Sequence, residues 1–127
     1  YPSKSFDFVI LSQTLQATRS PEKVLNELTR ISKRAIVSFP NFGSWLVRLK
    51  LLFKGVMPQL KSLPHTWYTT PNIHLCTIKD FKQLCNKNSI KIEQSFYLDK
   101  NGKKITNFVK KFFNNFFSVS GLFVLKK

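Results

Sequence analysis

Apolar residues in the first third of the chain occur in two short continuous runs, separated by a stretch with helical spacing. The runs, residues 6–11 and 35–39, contain Val and Ile as in buried parallel strands, and Pro40 stops the second. Between them, Ser20 and Pro21 are typical of a helix start, and one apolar stripe follows: Val24, Leu25, Leu28 and Ile31. The order strand, helix, strand predicts a βαβ unit whose two strands are parallel.

The middle of the chain predicts two more helices, joined by a long connection. Ser44 begins the first helix and Gly55 ends it, and its apolar positions are Trp45, Leu46, Leu49, Leu52 and Phe53. Residues 55–76 then form a connection that holds prolines and several large apolar side chains, which favours an ordered, functional loop over disorder. Thr77 and Asp80 have the spacing of a capping box at the start of the second helix.

The last third of the chain predicts two strands around a turn and a helical segment. Residues 90–98 alternate apolar and polar side chains, which indicates a strand toward the sheet edge. Asn101 and Gly102 predict a turn, and residues 105–116 have apolar side chains at helical spacing. Residues 121–125 predict a final strand. Because no full crossover unit precedes it, we expect this strand to be antiparallel and at an edge.

Two of the predicted helices combine an apolar stripe with basic residues. They are the helix from Ser44 and the Phe-rich stripe at residues 105–117. Such stripes also suit a membrane surface or an exposed docking face. The apolar stripe of a helix in an α/β protein normally faces the sheet, however, so we expect packing and no membrane contact for the helix from Ser44. For the Phe-rich stripe, packing and an exposed docking face are equal alternatives.

Composition limits the class of protein. The chain has 127 residues, of which 43% are hydrophobic, enough for one domain with a core. No apolar run approaches the ~20 residues of a membrane span and no signal peptide opens the sequence, so we expect a soluble, cytoplasmic protein. The sequence starts at Tyr1 and its single methionine is Met57. We therefore expect residues 1–127 to be one incomplete domain, the C-terminal part of a larger one.

The net charge is +15, from 21 Lys and Arg against 6 Asp and Glu, and such an imbalance attracts polyanions. The basic residues are 17 Lys and 4 Arg, scattered along the chain, whereas base and phosphate recognition prefers Arg. We therefore expect a solvated, Lys-rich surface and no specific nucleic-acid site.

Residues with catalytic or ligand chemistry form no familiar motif. The four glycines are too far apart for a dinucleotide or phosphate loop. His74, Cys76 and Cys85 lack the spacing and the fourth ligand of a zinc site, and residues two apart rarely pair a thiol with a base. The six carboxylates are spread out and offer no acid–base pair. We predict no catalytic and no metal-binding residue in this chain.

Two stretches go beyond general patterning. They are FDFVILSQTLQATRSPEKVLNELTRISKRAIVSFPNFGSW at residues 6–45 and GVMPQLKSLPHTWYTTPNIHLCTIKDF at residues 55–81, and together they closely resemble the methionine biosynthesis protein MetW family. The resemblance covers nearly the whole chain. It implies an α/β fold, the C-terminal part of a class I methyltransferase-like, Rossmann-like doubly wound sheet. Residues 6–11, 35–39, 90–98 and 121–125 would be its fourth to seventh strands, the last one inserted antiparallel.

The resemblance also implies a cofactor region. S-adenosylmethionine (SAM) binds in this fold at the carboxyl ends of the strands, where Ser12, Gln13 and Thr14 would line the cofactor cleft. The strands with the glycine-rich SAM loop would precede this sequence, so we expect SAM to bind the intact protein and not this chain alone. Many such methyltransferases have His or Glu-His near this place. Here the sequence is Leu15-Gln16-Ala17, which weakens the case for methyl transfer.

A partner is implied as well, because the family is tied to methionine biosynthesis alongside homoserine O-acyltransferase (MetX). We expect the 55–76 loop to lie over the cleft or to contact this partner. The residues assigned to cleft or partner contacts are Asn41, Trp45, Trp67, Tyr68, Asn72 and His74. Plain packing of the tryptophans and local hydrogen bonds of Asn72 and His74 are the alternatives. A SAM-dependent small-molecule methyltransferase is the second hypothesis, and a basic nucleic-acid-binding module is the third.

Overall fold

A four-stranded mixed sheet organises the chain, and the computed structural model describes all residues 1–127. The strands are β1 (Phe6–Ser12), β2 (Ser32–Pro40), β3 (Lys91–Leu98) and β4 (Ser120–Lys126). Their spatial order is β1-β2-β4-β3; β1 and β2 are parallel, and β4 is antiparallel to both of its neighbours. The α/β class, the parallel pair and the antiparallel last strand are confirmed.

The expected edge position of the last strand is wrong. β4 lies between β2 and β3, as the family resemblance implied, and Gly121, Phe123 and Leu125 on one of its faces are buried. A strand with a neighbour on each side has both rows of backbone groups hydrogen-bonded, which allows it to sit in the centre of the sheet. The alternating strand β3 is the edge strand, as its pattern predicted.

Helices follow the predicted order, with α1 at Pro21–Ile31, α2 at Trp45–Leu49 and α3 at Ile78–Lys87. Pro21 occupies the first turn of α1, although Ser20 makes no side-chain cap. The capping box of α3 is confirmed: Thr77 Oγ1 accepts from the Asp80 backbone N–H at 3.1 Å and donates to the Asp80 carboxylate at 2.6 Å. No helix of the chain is long and apolar enough to cross a membrane.

The helix from Ser44 forms, but its apolar face does not pack on the sheet. α2 continues into a π-helical turn, Lys50–Lys54, and Gly55 ends it with φ 62°, a backbone conformation that suits glycine. Val47 is buried, whereas Leu52 and Phe53 are 75% and 77% exposed. The packing prediction is therefore wrong for this segment, because only one turn of the helix reaches the rest of the chain.

The Phe-rich stripe also departs from the prediction. It forms two short helices, α4 (Phe108–Phe112) and α5 (Asn114–Phe117), because Phe113 between them leaves the helical conformation at φ −94°, ψ 44°. The break turns apolar side chains toward solvent: Phe108 and Phe112 are 81% and 72% exposed. The helical spacing therefore does not produce a single helix, and of the two alternatives for this stripe the structure has the exposed one.

The core lies on one face of the sheet, under α1 and α3. Its centre is formed by three fully buried rings, Phe39, Phe81 and Phe123, with centroids 4.8–5.6 Å apart. Burial of each such side chain stabilises the fold by about 2–3 kcal/mol. Leu25 of α1 and Cys85 of α3 complete this layer. The apolar stripes of α1 and α3 thus face the sheet as predicted.

The opposite face of the sheet has no helix over it, and we call it the uncovered face. Phe8 and Ile10 of β1 are 57% and 68% exposed there, beside half-buried Ile36 and Val124. β1 also ends the sheet, so its outer edge has no partner strand. The prediction of β1 as a buried strand is wrong for this chain, since burial needs a neighbour on both faces.

Candidate functional site

The carboxyl ends of β1, β2 and β3 all lie at the same edge of the sheet, because β1 is parallel to β2 and β4 is antiparallel to both β2 and β3. The segments that follow these strands therefore gather at this carboxyl edge. Ligand sites of open α/β sheets are found at such an edge. All of the residues assigned to a site from the sequence belong to these segments.

The chain turns sharply where β1 ends, at Ser12, Gln13 and Thr14. Gln13 has φ +51°, which is uncommon for a residue with a side chain, and its N–H donates to the Ser38 carbonyl at 2.9 Å. The Thr14 hydroxyl donates to the Ser12 carbonyl at 2.7 Å, and the hydroxyls of Ser12 and Ser38 lie 3.4 Å apart. All three predicted cofactor residues remain exposed. Their polar groups therefore form an accessible surface beside the end of β2.

Gln16 joins this turn to the long loop. It lies in the short 3-10 helix Leu15–Ala17 and is 5% exposed. Its Nε2 donates to the Gln13 carbonyl at 2.9 Å and to Asn72 Oδ1 at 3.2 Å. The backbone carbonyl of Gln16 accepts from the backbone N–H groups of Ile73 and His74 at 3.0 and 2.9 Å. We call these residues, Gln13, Gln16, Asn72 and His74, the glutamine cluster.

The structure thus brings the predicted residues Ser12, Gln13, Thr14, Asn72 and His74 to one place. Gln16, the residue at the centre, was not among the predicted site residues. The one signal in the sequence was that a Gln stands near the place where many methyltransferases have His or Glu-His. Gln16 therefore joins the two segments, through its side chain to Gln13 and Asn72 and through its backbone carbonyl to Ile73 and His74.

A cleft of about 340 Å³ opens beside the glutamine cluster, between the first turns of α1 and α3. Its walls are mainly apolar, with His74 and Cys76 from the loop and Asp80 from α3 at the side. Burial, with smaller effects of the Asp80 carboxylate and Cys85, raises the pKa of the Cys76 thiol to about 12. Burial likewise raises the pKa of the Cys85 thiol to about 12. Both thiols are protonated at neutral pH, so neither is an activated nucleophile.

Asn41 lies outside this cluster and is 1% exposed. Its Nδ2 donates to the carbonyls of Asn115 and Ser118 at 2.9 and 2.7 Å. Its Oδ1 accepts from the backbone N–H groups of Gly43 and Ile78 at 3.0 and 3.2 Å. With these four bonds the side chain ties the end of β2 to α3 and α5. The side-chain amide of Asn41 thus has a structural role, and none of its donors or acceptors remains for a ligand.

The three predicted aromatic contacts separate into two places. Trp45 is half-buried and lines a different cleft, with Lys104, Ile105 and Phe117 of the segment between β3 and β4. Trp67 and Tyr68 are 73% and 72% exposed, and their rings meet edge to face at 5.5 Å. The loop aromatics are therefore open to contact from outside.

Comparisons with known proteins agree with this architecture. A family model described as methionine biosynthesis protein MetW matches residues 1–125. A protein of Rhodopirellula baltica named bifunctional methionine biosynthesis protein MetXA/MetW is 35% identical over 95 residues, which are 74% of this chain and 15% of that protein. The crystal structure of a SAM-dependent methyltransferase of Thermotoga maritima has a TM-score of 0.59 at 19% identity, covering 99% of this chain and 57% of that one. The chain therefore spans little of the curated relative's length, and the structural likeness concerns the fold.

Proposed function

The chain belongs to the MetW family of methionine biosynthesis proteins, and from that premise we propose that it acts there as a methyltransferase-like partner of homoserine O-acyltransferase, MetX. The observation that carries the proposal is the relative that combines MetXA and MetW under one name. Two proteins that are joined in one organism act near each other, and the joined form raises their effective concentration. A separate chain of the MetW type then needs a surface that binds the acyltransferase.

The 55–76 loop offers such a surface. Trp67 and Tyr68 are largely exposed, and Ile73 and Leu75 further along the loop are 62% and 53% exposed. Trp and Tyr are favoured interface anchors because each buries a large area with little loss of conformational entropy. The glutamine cluster holds the far end of this loop through the hydrogen bonds of Gln16 to Asn72, Ile73 and His74. Outward aromatics on an anchored loop favour a partner contact over a lid closed on the cleft.

Co-purification of the intact protein with the acyltransferase tests this proposal. We expect wild-type protein to bind, and Trp67→Ala with Tyr68→Ala to weaken the affinity by about tenfold or more. His65→Ala is the matched control, since His65 is an exposed residue of the same loop. Absence of any wild-type association would overturn the partner proposal. Unchanged affinity of the aromatic variants would show that the contact lies outside this loop.

A second candidate function is methyl transfer from SAM, favoured by the methyltransferase fold. Ser12, Gln13 and Thr14 fit one wall of a SAM site, because they are exposed and polar at the carboxyl end of β1. The bound cofactor would supply the methyl group. No catalytic base is evident beside this wall: His74 is the nearest titratable side chain of the glutamine cluster, and its Nε2 lies 3.4 Å from the Arg19 carbonyl. Calorimetric titration of SAM into the intact protein, with Gln13→Ala as the test variant, decides whether a cofactor site exists.

The domain itself extends beyond these residues in our proposal. The uncovered face exposes Phe8 and Ile10, and the outer edge of β1 is unpaired. A sheet of this type is stable when helices cover both faces. We propose that further strands and helices of the same domain pair with β1 and cover this face in the intact protein. Hydrogen exchange of β1 amides, slow in a longer polypeptide and fast in residues 1–127, tests that arrangement.

A further inference from the structure

A second surface at the carboxyl edge has no role in the function proposed so far. It is a cleft of about 550 Å³ between α2, α3, α4 and α5. Three cations and three rings line it: Arg48, Lys79, Lys82, Phe112, Phe113 and Phe116. The remaining lining residues are Asn114 and Asn115, so no carboxylate faces the cleft. We call it the cationic cleft.

The charged groups of the cationic cleft have no counter-ions, and those of Arg48 and Lys82 are held by other contacts. Arg48 Nε donates to the Gly43 carbonyl at 2.7 Å, and the guanidinium lies over the Phe116 ring, 5.4 Å from its centroid. Both Nη groups of Arg48 are left without a protein acceptor. Lys82 Nζ donates to the Tyr97 hydroxyl at 2.9 Å. None of the cleft's cations takes part in the four ion pairs of the chain.

The segments around the cationic cleft are likewise positively charged and expose apolar rings. Residues 28–79 and 100–127 contain no Asp or Glu, so the segments that build α2, α4 and α5 are purely cationic. Phe112 and Phe113 are 72% and 54% exposed at the rim, and Phe108 nearby is 81% exposed. Monomeric proteins rarely expose bulky apolar side chains in such a group, and exposed groups of this kind mark interaction sites. The cleft therefore combines unpaired positive charge with apolar anchors.

We propose that the cationic cleft binds an acidic segment of the acyltransferase, with its carboxylates on Arg48, Lys79 and Lys82 and an apolar side chain on the phenylalanines. This inference rests on the proposed function and adds a second contact to the 55–76 loop. A carboxylate pairs with the two free Nη groups of Arg48 in the fork geometry that arginine offers. The rings of Phe112 and Phe113 exclude water around that pair, which strengthens it.

The small number of cations favours a protein segment over a nucleic acid. A nucleic-acid backbone is held by many cations along its length, whereas this cleft has one arginine and two lysines. Exposed rings beside cations also suit stacked bases, so a single-stranded oligonucleotide is the alternative that the test includes. The cleft is linked to the loop along the chain, since α2 contributes Arg48 and leads through Lys50–Lys54 to Gly55, where the loop begins.

The test measures the affinity of the intact protein for the acyltransferase at two salt concentrations. We expect Lys79→Glu to weaken binding by about tenfold or more and to reduce its salt dependence, because it reverses one cleft charge. Phe112→Ala should weaken binding to a similar degree with an unchanged salt dependence. Lys23→Glu is the matched control: it makes the same charge change on the exposed side of α1 and should leave affinity within about twofold. Circular dichroism verifies that each variant is folded.

Other outcomes overturn the inference in distinguishable ways. If wild-type protein does not bind the acyltransferase, the proposed function fails and the inference fails with it. If wild type binds and only the Trp67 and Tyr68 variants weaken binding, the proposed function stands and the cleft is not a contact. If Lys79→Glu and Phe112→Ala still bind the acyltransferase but no longer bind a single-stranded oligonucleotide or phosphatidylglycerol vesicles, the cleft binds a polyanion instead.

Discussion

Gln16 Nε2 and Asn72 Oδ1 lie 3.2 Å apart, although 56 residues separate them in the chain. This bond, with the two N–H groups that donate to the Gln16 carbonyl, fixes the long loop to the turn that ends β1. A loop with many prolines and aromatics but little regular structure depends on such contacts for its position. The glutamine cluster thus positions the end of the loop that follows Trp67 and Tyr68.

We expect Gln16→Ala to lower the free energy of unfolding by about 1–3 kcal/mol, because the Gln13 carbonyl and the Asn72 amide each lose a partner. Urea unfolding of wild type and variant measures this difference. Gln83→Ala, at an exposed position of α3, should change stability by less than about 0.5 kcal/mol. Unfolding of Gln16→Ala at the wild-type urea concentration would show that the side-chain bonds to Gln13 and Asn72 do not stabilise the fold, since the variant keeps the backbone bonds from Ile73 and His74.

Asn41→Ala should be more destabilising, by about 3 kcal/mol, because a buried amide with four hydrogen bonds is removed and its partners are left unpaired. Thermal unfolding followed by circular dichroism checks this expectation. Asn86→Ala on the exposed side of α3 provides the control. If Asn41→Ala keeps wild-type stability, the residue is free for the ligand role assigned to it from the sequence.

The two faces of the sheet should respond differently to the loss of a ring. Phe123→Ala removes a fully buried side chain and should lower the free energy of unfolding by about 3–5 kcal/mol. Phe8→Ala on the uncovered face should lower the free energy of unfolding of residues 1–127 by less than about 1 kcal/mol. In a longer polypeptide that covers this face, Phe8→Ala should become as costly as a core substitution. If Phe8→Ala lowers the free energy of unfolding by the same small amount in residues 1–127 and in the longer polypeptide, the proposed domain extension is contradicted.

The thiols of half-buried Cys76 and buried Cys85 should be unreactive in the folded chain. The pKa of Cys76 and of Cys85 is about 12, above the ordinary 9.0, so the folded state favours the protonated form. The stability that this preference contributes is complete below pH 9 and falls as the pH rises toward 12. At pH 8 we expect iodoacetamide to label native protein at least about tenfold more slowly than protein in urea. Cys85→Ala isolates Cys76, and labelling of this variant at the unfolded rate would contradict the burial of its thiol.

Local sequence signals determined most of the elements. The apolar runs predicted β1 and β2, Pro21 and the Thr77–Asp80 pair marked the starts of α1 and α3, and Gly55 marked the end of the helical segment before the loop. These signals depend on contacts within a few residues, so they act wherever the segment lies in the fold. The Phe-rich stripe was mistaken for one helix because spacing alone does not reveal the break at Phe113.

The site was only partly open to prediction. Ser12, Gln13, Thr14, Asn72 and His74 were assigned from the sequence and the family resemblance, and they meet at the carboxyl edge. Gln16 and the cationic cleft were missed, because Arg48, Lys82 and Phe112 are distant in sequence and each has an ordinary helical neighbourhood. Asn41 looked like a site residue until its four partners, one from its own segment and three from two other segments, were placed around it.

The sequence by itself determined the family, the α/β class, the order of the elements and the excess of positive charge. Only the tertiary structure decided where the last strand lies, which side chains remain exposed and which distant residues share a cleft. The physical reason is the range of the forces. Caps, turns and apolar periodicity are local, whereas burial and hydrogen bonds between segments depend on how the whole sheet and its helices come together, including the face of β1 that this chain leaves uncovered.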